Sequence, residues 1–118
     1  MYHKNLEVYK KSIEFVAKIY EITRQFPDSE LYGLTSQIKR AAVSIPSNIA
    51  EGCARCTDKQ TANFLNVAIG SLAEVETHLE IAKVLGYVKD TDNIDTLYNN
   101  LKSLLLGLKK HIKSKIKT

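Results

Sequence analysis

Only two cysteines occur in the chain, Cys53 and Cys56, and their scarcity removes several kinds of chemistry at once. A structural zinc site takes four ligands, and His3, His78 and His111 stand too far apart in sequence to complete one. A redox pair works from a helix N-terminus, where the dipole favours thiolate. Cys53-Ala54-Arg55-Cys56 instead falls near the end of a helical pattern, where the dipole opposes it. The thiols are expected to be reduced and incidental, with no metal and no cofactor. No run of about 18 apolar residues is present, so no membrane-spanning helix is expected. Met1-Tyr2-His3-Lys4-Asn5 leads into an amphipathic pattern and not a secretory leader, and the expected location is cytoplasmic.

Catalytic patterns are missing as well. Glu74, Glu76 and Glu80 invite comparison with di-metal bundles, but those require Glu-x-x-His pairs, and His78 lies two residues from both Glu76 and Glu80. The serines have no nucleophile elbow and no recognisable acid and histidine partners. The expectation is a protein that is not an enzyme. Period-two alternation persists nowhere, which leaves no strand, and neither an internal repeat nor a low-complexity linker occurs.

What the chain has is helical periodicity. At 118 residues it fits one domain, spanning 1–118, with one core. A first segment, from about Asn5 to Gln25, carries two stripes, Leu6, Tyr9, Ile13, Val16 and Tyr20 on one and Phe15, Ile19, Ile22 and Phe26 on the other. Two stripes imply burial on two sides. Pro27 ends the segment, and Asp28 or Ser29 can cap the next helix. A second segment starts between Asp28 and Thr35 and runs to about Arg55, with Gly52 near its end. Thr57 or Asp58 opens a third, with Leu65, Ala68, Leu72, Val75, Leu79 and Ala82 in phase until Gly86 stops it. The fourth starts after Thr91-Asp92-Asn93 and runs to about Lys115, with Ile94, Leu97, Leu101, Leu104, Leu105, Leu108 and Ile112 on one side. Four long helices with short links predict an all-α, up-down-up-down four-helix bundle.

Pro46 interrupts the second segment, yet the apolar spacing Ile38, Ala41, Ala42, Ile45, Ile49 continues through it in phase. The spacing predicts one helix kinked at Pro46, with the Ala42 carbonyl and its neighbours open to Ser47, Asn48 or water. On the opposite face Arg40, Ser44, Ser47, Asn48, Glu51 and Arg55 fall together. Much of that face is small and hydrogen-bonding, which lets another helix approach closely. These six residues are the candidate subunit interface, and Glu51 and Arg55 can equally form an intrahelical ion pair.

The stretch Glu30-Leu31-Tyr32-Gly33-Leu34-Thr35-Ser36-Gln37-Ile38-Lys39-Arg40-Ala41-Ala42-Val43-Ser44-Ile45-Pro46-Ser47-Asn48-Ile49-Ala50-Glu51-Gly52, together with Phe64-Leu65 and Ala68-Ile69-Gly70-Ser71-Leu72, resembles a four-helix bundle family. That family includes proteins encoded in intervening sequences of bacterial 23S ribosomal RNA genes. The resemblance spans roughly residues 5 to 115. It implies an all-α up-down bundle and, as in some members, a ring-shaped homopentamer. A relative in that family, the accessory protein of diversity-generating retroelements, is a basic pentamer that works with a reverse transcriptase and nucleic acid.

Charge is unevenly spread. Residues 101–118 carry six lysines and no acid, while the rest of the chain holds 11 basic and 13 acidic groups, so the net charge of +4 originates in the last segment. Lys102, Lys109, Lys110, Lys113 and Lys117 share one arc beside the leucine stripe, and Lys115 falls toward the apolar side. Lysines near a helix C-terminus suit its dipole, but a solvated face usually mixes signs and this one does not. These five lysines are the candidate nucleic-acid contacts, for RNA or DNA. No aromatics interleave them, so binding is expected to be insensitive to sequence. The expected function is an oligomeric helical scaffold that binds structured RNA. The competing expectation is a protein–protein adaptor whose lysines meet an acidic partner such as a nucleic-acid enzyme.

Overall fold

Apolar residues spaced three and four apart become four α-helices in the computed structural model, which describes residues 2–116. They are α1 (Glu7–Ile22), α2 (Leu34–Cys53), α3 (Asp58–Val84) and α4 (Asp92–Ser114), with short 3-10 turns at His3–Asn5, Thr23–Gln25 and Asp28–Glu30. No strand occurs among the described residues. One apolar core draws on all four helices, with Phe15 and Ile19 of α1, Ile38, Ile45 and Ile49 of α2, Leu65, Leu72 and Val75 of α3, and Leu101, Leu105 and Ile112 of α4 almost fully enclosed. Burying side chains of this size is worth about 1.5–3 kcal/mol each, which is why tertiary packing rather than helix propensity holds the elements.

Each helix packs on its neighbours in sequence, and α1 closes the square against α4. Contacts run in opposite order along neighbouring helices. Ser44 pairs with Ser71 and Gly52 with Thr61 across α2 and α3, Lys83 with Asp95 and Asp58 with Lys115 across α3 and α4. Tyr20 lies under Lys39 across α1 and α2. That order is the signature of antiparallel neighbours, and extents of 48 × 25 × 24 Å suit four rods side by side.

Several local expectations need correction. The two stripes of α1 are not both buried: Phe15, Ile19 and Ile22 fill the core, whereas Ile13 and Tyr20 remain exposed, and Ser12 and Val8 take buried places that hydrophobicity alone did not assign. Ser12 fits because its hydroxyl donates to its own helix at the Tyr9 carbonyl, 2.6 Å. Neither Asp28 nor Ser29 caps α2. Gly33 is its N-cap, and Glu30 reaches forward to accept from the Leu34 N–H at 3.1 Å. Thr91 precedes α4 without capping it, donating instead to Asp95. Thr57 does cap α3, accepting from the Gln60 N–H, and Gly86 ends it at φ 78°, with the Tyr87 N–H returning to the Ala82 carbonyl.

Helix α2 continues through Pro46, whose ring is buried. What surrounds the proline is a set of extra donors: the Ser47 hydroxyl to the Val43 carbonyl at 2.9 Å and the Asn48 amide to the Ser44 carbonyl at 2.7 Å. A bend there is still the expectation from the missing N–H and the ring's bulk.

Candidate nucleic-acid interface

The C-terminal half of α4 buries Leu101, Leu105 and Ile112, and that register turns the intervening positions outward. Lys102, Lys110 and Lys113 are exposed and Lys109 is half-buried. Lys117 lies outside the described residues. Among the described residues Lys115 alone of this group forms an ion pair, with Asp58 at the start of α3 at 3.5 Å. Both partners are substantially exposed, so the pair adds little stability.

Lys102 stands apart from the others in its surroundings. Its ammonium lies 5.9 Å from the centre of the Tyr98 ring. Burial, and then the neighbouring Glu76, pushes the Tyr98 hydroxyl above its ordinary pKa. Glu76, Glu80, Lys83, Asp95 and Tyr98 line one cleft there. The arc therefore begins beside an acidic region and becomes purely cationic only from Lys109 onward.

The six polar residues of α2 divide into three environments. Ser44 and Asn48 are half-buried in the seam with α3, where the Ser44 and Ser71 hydroxyls share a hydrogen bond of 2.8 Å and Asn48 donates to the Ser44 hydroxyl at 2.9 Å. Small side chains here admit a close helix, and that helix is α3 of the same chain. Glu51 and Arg55 form the intrahelical pair at 2.8 Å, with the guanidinium also 4.6 Å from the Phe64 ring centre. Arg40 and Ser47 are exposed.

Arg40 and Ser47 border an open cleft of about 690 Å³ between α1 and α2, with Tyr20, Tyr32, Ser36 and Lys39 among its walls. Below it Tyr9, Ile13, Val16, Val43, Pro46 and Ala50 line a more apolar hollow of about 510 Å³. Sequence reasoning missed the upper cleft. Its aromatics lie on a different helix and a turn from its cations, and only the fold brings them together.

Cys53 is buried and Cys56 exposed. Burial raises the Cys53 thiol above its ordinary pKa, which makes it a poor nucleophile. His78 is buried on α3, with Nε2 3.9 Å from Glu74 and no hydrogen-bond partner for Nδ1 among the described residues. No group of three His, Cys, Asp or Glu side chains converges as a metal site among those residues. Among the described residues no helix is long and apolar enough to cross a membrane.

Comparison with known proteins agrees with this architecture. The sequence profile of the family described as 23S rRNA-intervening sequence protein matches residues 4–110. A solved structure from Bacteroides thetaiotaomicron VPI-5482, a protein with unknown function from the S23 ribosomal protein family, is similar to this chain with a TM-score of 0.76 and 26% identity. The match covers 93% of this chain and 99% of that one. No curated protein gives a match. The matched residues include all of α1, α2 and α3 and most of α4, and on that extent the chain belongs to the family of 23S rRNA-intervening sequence proteins.

Proposed function

We propose that this chain is a binding protein and not a catalyst, a helical scaffold that associates with itself and holds structured RNA through the lysines of α4. One observation carries the reading. Lys109, Lys110 and Lys113 project from one helix end in a segment without a single acid, and none of them has an ionic partner among the described residues. Such a surface gains more from phosphate than from water, because each neutralised phosphate releases counterions.

Self-association is supported by apolar surface left outside the core. Ile13 and Val43 are exposed along the lower hollow between α1 and α2, and Val67, Ile81 and Val84 keep helical spacing on the outer side of α3. Two different apolar surfaces on one chain suit head-to-tail contact, which closes into a ring when the rotation permits. Five subunits is the number the family resemblance implies. Symmetry would then repeat each lysine cluster and add avidity. The six polar residues of α2 would lie at or beside such an interface, Glu51 and Arg55 as its outward members and Arg40 and Ser47 at its edge, where the upper cleft stays open.

The test is replacement of Lys109, Lys110, Lys113 and Lys117 by Glu. Wild-type affinity for structured RNA should fall with salt, each contacted phosphate adding about 0.7–0.9 to the logarithmic slope. The variant should lose binding while retaining helicity and mass by light scattering. If it binds RNA as well as wild type, the lysines are only a solvated face and an acidic protein partner becomes the better reading.

A further inference from the structure

We infer that the pole opposite the lysines holds a second recognition element, a cleft that takes an unpaired base of the bound RNA against Tyr32 and its adjoining phosphates against Lys39 and Arg40. Tyr32 is 94% exposed, the most of any large apolar side chain among the described residues, so it contributes almost nothing to the core. Yet the turn that carries it is held firmly. Glu30 accepts from the Leu34 N–H at 3.1 Å and from the Tyr87 hydroxyl at 2.8 Å, and the Gly33 N–H donates to the Glu30 carbonyl at 2.9 Å. An aromatic ring presented to solvent on an anchored turn is preorganised for stacking, which lowers the ordering cost of binding.

The surroundings fit the rest of a nucleotide. No Asp or Glu lines the 690 Å³ cleft, whereas Lys39 and Arg40 both do, beside the Ser36 hydroxyl; the Ser44 and Ser47 hydroxyls are engaged within the protein. Lys39 rests 4.7 Å from the Tyr20 ring centre and forms no ion pair among the described residues. Arg24 and Asp28 both border the adjoining hollow of about 350 Å³, which shares Tyr20 and Lys39 with the cleft, so the net positive charge stays with Lys39 and Arg40. Cations for phosphate and a planar ring for a base are the elements of single-strand recognition. A purely apolar partner would leave both cations desolvated without compensation. The cleft rests on the RNA-binding reading above and adds to it a preference for loops and bulges over continuous duplex.

The measurement is anisotropy of a fluorescent oligouridylate, alone and annealed to oligoadenylate, titrated with the full chain. Wild type should bind the single strand more tightly than the duplex. Tyr32→Ala should weaken single-strand binding about 5- to 150-fold, the loss expected for one base stack, and leave duplex binding unchanged. Tyr32→Phe should retain wild-type affinity, and Arg40→Gln should lower the salt slope by about 1. Because Tyr32 lies outside the core, none of these outcomes reflects unfolding. The cleft is refuted, with RNA binding through the lysines intact, if wild type binds both probes and Tyr32→Ala binds them equally well. It is also refuted if Tyr32→Ala changes oligomeric mass instead, which would make the ring a subunit contact. No binding of either probe by wild type at low salt would overturn the cleft and the RNA reading together.

Discussion

Replacing Gly52 with Ala in α2 sets two opposed effects of known size against each other. An alanine in a helix interior is favoured over glycine by at most about 1 kcal/mol. Here, however, a Cβ would stand 3.2 Å from the Phe64 Cβ and 3.3 Å from the Thr61 carbonyl oxygen. Both atoms belong to or adjoin the α3 backbone, so no flexible side chain can swing away. Relief requires α2 and α3 to separate by a few tenths of an ångström along a seam that encloses Ile45, Ile49, Leu65 and Leu72. Overpacking of this kind costs about 1–3 kcal/mol. The same shift stretches the 2.8 Å bond from the Thr61 hydroxyl to the Gly52 carbonyl, whose net value is about 1 kcal/mol. The clash wins, and we expect Gly52→Ala to destabilise by about 1–2 kcal/mol, lowering Tm by roughly 4 °C per kcal/mol. Gly107, exposed on α4 with nothing within 4 Å of a new Cβ, is the control. Gly107→Ala should stabilise, by up to about 1 kcal/mol. Urea unfolding monitored by circular dichroism, at one protein concentration to hold any assembly constant, reads both. Gly52→Ala stabilising as much as Gly107→Ala would show that the close approach of α2 and α3 is not needed.

Titrating and reactive groups supply two more expected outcomes. The Tyr87 hydroxyl, and secondly the Leu34 N–H, donate to Glu30 and hold its carboxyl below the ordinary 4.5. A depressed folded pKa gives stability that is present above the unfolded value and lost as pH falls through the folded one. The same bond raises Tyr87 above its ordinary 10.0, giving stability present below that value and lost as pH rises past the folded one. Tyr87→Phe should therefore flatten the stability profile at both extremes in a pH series of urea melts, and an unchanged profile would count against the bond. For the thiols, a chromogenic disulfide reagent should label exposed Cys56 at once and buried Cys53 only as fast as the helix opens. Equal rates would contradict the burial of Cys53.

Four helices were readable in the sequence because each segment repeats apolar residues three and four apart, and the ends marked by Thr57 and Gly86 were readable because capping is local chemistry. The core side of α1 was not. Phe15-Ile19-Ile22 and Tyr9-Ile13-Val16-Tyr20 are equally periodic, and only packing against α2 and α4 decides which stripe is enclosed. Buried Thr61 and Ser71 were hidden for a related reason: their hydroxyls are satisfied across a seam with Gly52 and Ser44, partners that no spacing along α3 reveals. The lysine arc needed only the helical wheel. The Tyr32 cleft needed the α1–α2 link to fold back, and its anchor joins Glu30 to a tyrosine 57 residues away.

That anchor has a consequence for remodelling the chain. With four antiparallel helices, the segments before α1 and after α4 emerge at one pole, beside the Ala54–Thr57 link, as the Asp58–Lys115 pair also indicates. The other two links meet at the far pole, and Glu30 rivets one to the other. A permuted chain reopened at Ala54–Thr57, with its original ends joined, would keep the rivet and the Tyr32 turn whole. One reopened between Leu85 and Thr91 would cut beside Tyr87 and unmoor that turn. Fused cargo placed at either original end would crowd the lysines and leave the cleft clear.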